Sequence, residues 1–247
     1  INVRNGTKTV KNWKAIVLEN KFLELTILPE LGGRIFSAVD KTTGKDFFYR
    51  QHVIKPASIG MLGAWISGGV EFNSPMHHRP STFMPVDYTI VQNDEETIVW
   101  LYENDPLDRM LLAVGISLRA DRAFFETRMR VYNRTALSKS FLWWENAAVP
   151  ASPDYRIFFP QDVGFVYFHY KRNAIAYPTA SGWFNGHKLP ANSDISRHGD
   201  TTFPTSYFSA ASRFDYFGGY DEKTEQGVIH VADHHISPGK KMFTWAY

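Results

Sequence analysis

The 247-residue chain contains no cysteine. Disulfides, thiolate nucleophiles and cysteine-held zinc are thereby excluded. That absence does not fix the compartment. No apolar run approaches the roughly 20 residues that a spanning helix needs, so no membrane partner is expected. Basic runs are missing as well. Lys and Arg total 27 against 25 Asp and Glu, a formal net charge of +2, and the two signs are interspersed. Gripping phosphates through counterion release needs a basic patch, so nucleic acid is not an expected partner. No stretch of twelve or more residues repeats its apolar positions every 3.6 residues, which argues against a helical domain. Gly32-Gly33 is not followed by Gly-Lys-Ser/Thr and opens no helix, so it is not a phosphate loop. The chain opens at Ile1 without a signal-like segment, as a processed protein or a cut domain would.

Hydrophobic residues make up 44% of the chain, enough for a core. Aromatic residues make up 15%: 19 Phe, 7 Trp and 12 Tyr. Most fall in strand-like runs, where they read as core. A surplus at the surface would suit the flat C–H faces of a sugar. "KAIVLENKFLELTILPE" carries two apolar runs, 15–18 and 22–28, separated by Glu-Asn. "ETIVWLYE", "MLLAVGISLRA", "AFFETRMRVYN" and "KSFLWWENAAV" follow. In the third of these, Phe125, Thr127, Met129 and Val131 alternate with Glu126, Arg128 and Arg130. Such period-2 patterns, punctuated by Gly-Gly, Pro-Gly and Thr-Gly turns, predict an antiparallel sandwich or barrel. Residues 41–45 read as a hairpin tip. Residues 180–206, poor in strand signal and rich in Gly, Ser, Asn and His, read as a long excursion. With no repeat or linker, 1–247 reads as a single domain. Its last segment, "GKKMFTWAY", reads as a strand cut short, with more of the parent chain expected beyond Tyr247.

Several constellations could carry chemistry. "SGGVEFNSPMHHRP", 67–80, gathers Glu71, Asn73, His77, His78 and Arg79 between apolar segments. Histidine moves protons near neutral pH, and a desolvated Glu71 could act as acid or base. The alternative is a loop whose polar groups only satisfy one another. "FLWWENAAVP", 141–150, sets Glu145 and Asn146 beside two tryptophans. One ring can fill the core while Trp144 forms a platform, with the carboxylate and amide pairing to hydroxyls. Otherwise both rings are core and Glu145 is solvated. "HVADHHISPGKK", 230–241, offers His235 in a turn, without the spacing of a closed metal site. Arg34 either faces a pocket or supports the Gly-Gly turn before it.

Taken in order, these segments resemble the aldose 1-epimerase (galactose mutarotase-like) superfamily. "ILPELGGRIFSAVDKTTGKDFFY" resembles its opening hairpin, and "SGGVEFNSPMHHRP" the segment bordering its sugar site. "VYNRT" resembles the strand end ahead of its central strand. The pattern SGG-x-E-x-N and the ending PGKK-x-x-x-W are most similar to a branch formed by a domain of unknown function. The resemblance implies an all-β, antiparallel β-supersandwich with a concave carbohydrate-binding face and no metal or cofactor. In the epimerases a carboxylate takes the anomeric proton while a histidine protonates the ring oxygen. This chain departs from that pattern. It has "WWENAAVP" where the epimerases carry their acid histidine, and their basic glutamate would fall after Tyr247. The resulting expectation is a carbohydrate-active domain with Glu71, His77 and Glu145 as catalytic residues. Arg34, Asn73, His78, Arg79, Trp144, Asn146 and His235 would bind a mono- or oligosaccharide. Two carboxylates would permit epimerase-like or glycosidase-like work. The alternative is a non-catalytic sugar-binding module, with further domains of the parent chain as partners.

Overall fold

A computed structural model describes residues 7–55, 57–59, 63–75, 78–79, 81–169, 173–209 and 211–245. The described residues form antiparallel sheets and contain no α-helix; two 3-10 turns, Pro29–Leu31 and His198–Asp200, are the exceptions to strand and loop. No helix among them is long and apolar enough to cross a membrane. Two compact units, 1–150 and 151–247, share the chain.

The first unit runs through β1 (Ile16–Glu19), β2 (Leu23–Leu28), β3 (Arg34–Asp40), β4 (Lys45–Asp46), β5 (Ala57–Ile59) and β6 (Gly63–Trp65). It continues with β7 (Val70–Asn73), β8 (Asp87–Gln92), β9 (Glu96–Asn104), β10 (Met110–Arg119), β11 (Phe125–Asn133) and β12 (Trp144–Ala147). One sheet has the order β1-β2-β3-β7-β12, with β4 also on β3; a second has the order β11-β10-β9-β8. β5 and β6 pair antiparallel. Alternation explains β2: Leu23, Leu25 and Ile27 are buried, and Glu24 and Thr26 are half-buried. Phe72 of the first sheet and Leu101, Leu112 and Val114 of the second line a common interior void. On the far side of the second sheet, Trp100 lies flat on Gly115, where a Cβ would come within 3.0 Å of the indole. Arg130 sits 4.5 Å from the centre of the same indole. An aromatic side chain thus covers a sheet face that would otherwise be wet.

The second unit comprises β13 (Tyr155–Phe158), β14 (Phe165–Phe168), β15 (Ala174–Ala176), β16 (Thr179–Phe184) and β17 (His187–Asp194). It ends with β18 (Thr205–Ser209), β19 (Tyr216–Asp221), β20 (Gln226–Val231) and β21 (Lys240–Thr244). Its sheets have the orders β13-β19-β20 and β15-β14-β18-β21, beside the β16-β17 hairpin. Much of the aromatic surplus is consumed here. Phe159 meets Tyr177 edge-on at 5.1 Å and stacks on Phe217 at 4.9 Å. The hydroxyls of Tyr177 and Tyr207 donate to the carbonyls of Ile157 and Ile195, at 2.6 and 2.7 Å, so neither buried oxygen is orphaned. The first half of the excursion expected at 180–206 is ordered as β16 and β17. Asn185 (φ 50°) and Gly186 (φ 78°) make the two-residue turn between them, the Asn-Gly hairpin chemistry.

The turn before β7 depends on glycine. Gly69 has φ 65°, and a Cβ there would fall 2.1 Å from the Ile35 carbonyl oxygen. Gly44 has a similar φ, 71°, in open space. Gly44→Ala should therefore cost only the backbone term, about 1 kcal/mol, and Gly69→Ala distinctly more, about 2–3 kcal/mol. Equilibrium urea unfolding measures both; equal losses would contradict the close approach.

Candidate functional site

The site is built on the β7–β12 ladder. Asn146 lies opposite Glu71, Glu145 opposite Phe72, and Trp144 opposite Asn73. Side chains alternate along each strand, and directly opposed residues share a face. One face therefore carries Glu71, Asn73, Trp144 and Asn146. The other carries Phe72 and Glu145 and looks into the sandwich, where the Phe72-lined void lies.

Glu71 is 4% exposed, and its carboxylate accepts from several directions. The Asn146 amide donates to Oε1 at 2.9 Å, and the Trp65 indole N–H to the same oxygen at 3.2 Å. His78 Nδ1 is 2.8 Å from Oε1. The Thr82 hydroxyl donates to Oε2 at 3.1 Å. Thr82 in turn accepts from Arg34 Nη2 at 3.4 Å, so the hydroxyl relays the guanidinium to the carboxylate. Burial alone would raise the carboxyl's pKa. The bond and charge of His78, the Asn146 amide and the charge of Arg34 outweigh it and hold Glu71 below the ordinary range. Burial lowers the Arg34 guanidinium to about 10, with Glu71 opposing the shift. Both groups are ionised at neutral pH.

Arg34 Nη1 donates to the carbonyls of Ile66 and Gly68, each at 2.9 Å. It thus clamps the strand entering the Gly-Gly turn. His78 lies between two tryptophans, with ring centres 6.1 Å from Trp65 and 5.2 Å from Trp144. Both indoles are half-buried, and Asn146 is exposed. The assembly is therefore a buried carboxylate–imidazole pair walled by two indoles, with an amide at the rim. At 2.8 Å from the carboxylate, His78 Nδ1 stands in ion-pair contact with Glu71.

The structure thus brings together Glu71, His78, Asn146, Trp144 and Arg34 of the residues named from sequence. Asn73 shares their face but is fully buried, its amide oxygen accepting from the Arg79 backbone N–H at 3.1 Å. The Arg79 guanidinium donates to Glu103 on β9 and to the Gly32 carbonyl, a structural engagement. Glu145 does not join Glu71. It faces the other way and accepts from the Thr127 hydroxyl on β11 at 2.9 Å. Neighbouring strand residues point to opposite faces, so Glu145 and Asn146 cannot serve one pocket. Trp143 stacks on Phe72 at 6.1 Å, on the sandwich side, while Trp144 walls His78. His77 lies outside the described residues. His235 belongs to the second unit, in an exposed turn. Trp65 and Thr82 are additions. An aromatic residue six positions before Glu71 was a visible signal for the first; nothing in the sequence marked the second.

This architecture is the galactose mutarotase-like, all-β fold. A crystal structure of a candidate aldose 1-epimerase from Escherichia coli K12 superposes with TM-score 0.56 at 10% identity, over 91% of this chain and 83% of that one. The Slr1438 protein of Synechocystis sp. PCC 6803 superposes with TM-score 0.60 at 12% identity, over 88% of this chain and 76% of that one. A TPR-domain containing protein from Parabacteroides distasonis is more similar, with TM-score 0.80 and 28% identity over 96% of this chain. The chain spans 39% of that protein's length. The model of the family described as Domain of unknown function (DUF5107) matches residues 3–247, and the chain belongs to that family.

Glu145 yields a pH prediction. Burial pushes its carboxyl from 4.5 up to about 7, against the opposing Thr127 bond. A folded-state value above the unfolded one stabilises fully below pH 4.5, and that contribution is lost as pH rises through 7. Solvent reaching the half-buried residue trims the effect to about 1–2 kcal/mol. Glu145→Gln keeps the shape and removes the titration. Wild-type stability minus variant stability should fall between pH 4.5 and 7 in urea unfolding; parallel profiles would contradict a raised carboxyl.

Proposed function

We propose that the Glu71–His78 face binds a saccharide and that His78, oriented by Glu71, moves a proton at one of its oxygens. The observation that carries this reading is the imidazole held between Trp65 and Trp144, with Nδ1 2.8 Å from the Glu71 carboxylate. Indole faces suit the C–H faces of a sugar, and the exposed Asn146 can pair with hydroxyls at the rim. Glu71 is enclosed and its oxygens are already engaged, so it is a positioning residue. Of the pair, His78 keeps the larger exposed share, 7% against 4%, and is the member assigned to meet the ligand. The fold shared with a candidate epimerase supports an aldose as ligand and anomer exchange as the reaction. Glu145 faces the sandwich, which argues against a glycosidase-like carboxylate pair with Glu71.

The second reading is a non-catalytic sugar-binding module. It is favoured by the engagement of Glu71 on every side and by the 39% share of the Parabacteroides protein that this chain spans. On that reading the partners are further domains of the parent chain.

A saccharide panel screened by thermal shift, followed by NMR of anomer exchange, separates the two. At least one sugar should raise the melting temperature. Trp144→Ala should weaken its binding about tenfold or more. His78→Asn should keep binding and slow exchange by roughly 10²-fold or more. Binding without exchange by the wild type would favour the module, and no shift with any sugar would overturn both readings.

A further inference from the structure

A second cluster of ionisable groups lies in the second unit, on the turn leaving β20. There Asp233, His234 and His235 each bring one ligand atom within 4.8 Å of the others. Consecutive residues would diverge on a strand, but here the chain is turning. The Ile236 and Ser237 backbone N–H groups both donate to the Asp233 carbonyl, at 3.0 and 2.8 Å. This brings the two imidazole centres to 3.8 Å with 38° between the planes.

Each ring is held by its own carboxylate. His234 Nδ1 is 2.8 Å from Asp215 Oδ1, which also accepts the His234 backbone N–H at 2.9 Å. His235 Nδ1 is 2.9 Å from Asp233 Oδ1, which likewise accepts the His235 backbone N–H at 2.9 Å. Asp215 is tied to the turn a second time, its carbonyl accepting from the Ala232 N–H at 2.7 Å. In a neutral His234 ring, Nδ1–H donates to Asp215 and leaves Nε2 to ligate, while His235 and Asp233 would exchange their mutual bond for bonds to the ion. A carboxylate holding one nitrogen of an imidazole while the other takes a metal is a recurrent way of fixing the ligating tautomer.

We infer that Asp233, His234 and His235 form a surface site for a divalent transition metal, with Asp215 as the positioning carboxylate. Imidazole and carboxylate donors without thiolate select zinc-like ions over calcium or magnesium. Bonds to zinc of about 2.0–2.2 Å require the ligand atoms to turn toward one common point. The side chains of Asp233 and His235 are 56% and 77% exposed, with room to make that turn. Asp215 immediately precedes β19, and the turn joins β20 to β21, strands of two different sheets in this unit. The ion would pin that crossover. This inference is independent of the sugar reading.

The test is isothermal titration of the protein with Zn²⁺ as the probe, together with NMR of the histidine rings. One equivalent should bind, with the ring signals of His234 and His235 moving. His234→Ala/His235→Ala should abolish that equivalent, and circular dichroism should show the variant folded. Asp215→Asn, which retains all three ligands, should weaken binding about tenfold or more. Three results would overturn the site. They are a wild type that takes up no zinc, a double variant that binds as the wild type does, and zinc bound while those two rings stay unmoved.

Discussion

A carboxylate taken out of water is the constraint around which the first unit is organised. Moving an isolated carboxylate into a protein interior costs several kcal/mol, so Glu71 can be buried only if its oxygens are met by donors. They are met by an indole N–H, an imidazole and a hydroxyl from Trp65, His78 and Thr82 on either side of β7, and by the amide of Asn146 on β12. Each of these is thereby fixed in place. The Thr82 hydroxyl extends the arrangement to Arg34, whose Nη1 holds the backbone entering the Gly-Gly turn. Removing the Glu71 charge would strand a guanidinium that is 1% exposed. The polar cluster is thus both a brace for the loop over the sheet and the frame that orients His78.

The two faces of β7 divide the labour. Phe72 packs into the sandwich against the second sheet, and Glu71 and Asn73 look away from it. Glycine makes the approach possible, since Gly69 touches the Ile35 carbonyl where any side chain would collide. Arg79 crosses to Glu103 and ties the loop after β7 to the second sheet. Charge and apolar packing therefore reinforce one geometry. The second unit reaches its stability by another route, a core in which phenylalanine and tyrosine rings meet at edges and faces with their hydroxyls satisfied.

The strands were legible because apolar alternation dictates them. The runs at 15–18 and 22–28 became β1 and β2, and 41–45 became the tip between β3 and β4. The β16–β17 hairpin was hidden by its polar composition, although Asn185-Gly186 is the turn chemistry that announces a hairpin. Part of the grouping was legible too, since Glu71, His78, Trp144 and Asn146 lie together. Placing Glu145 with them ignored the strand's own period, which sends adjacent residues to opposite faces. Arg79 was beyond reach from sequence: its partner Glu103 is supplied by another sheet, and no local pattern encodes that contact. Thr82 was hidden because a lone threonine in a loop carries no pattern that marks its bond to Glu71.

The Glu71–His78 contact is the claim on which the site depends, and the imidazole tautomer tests it most directly. Nitrogen-15 NMR of the His78 ring distinguishes Nδ1–H from Nε2–H in the neutral form. The account predicts Nδ1–H in the wild type and loss of that preference in Glu71→Gln. A wild-type ring protonated at Nε2, or a tautomer indifferent to the Glu71 charge, would contradict it.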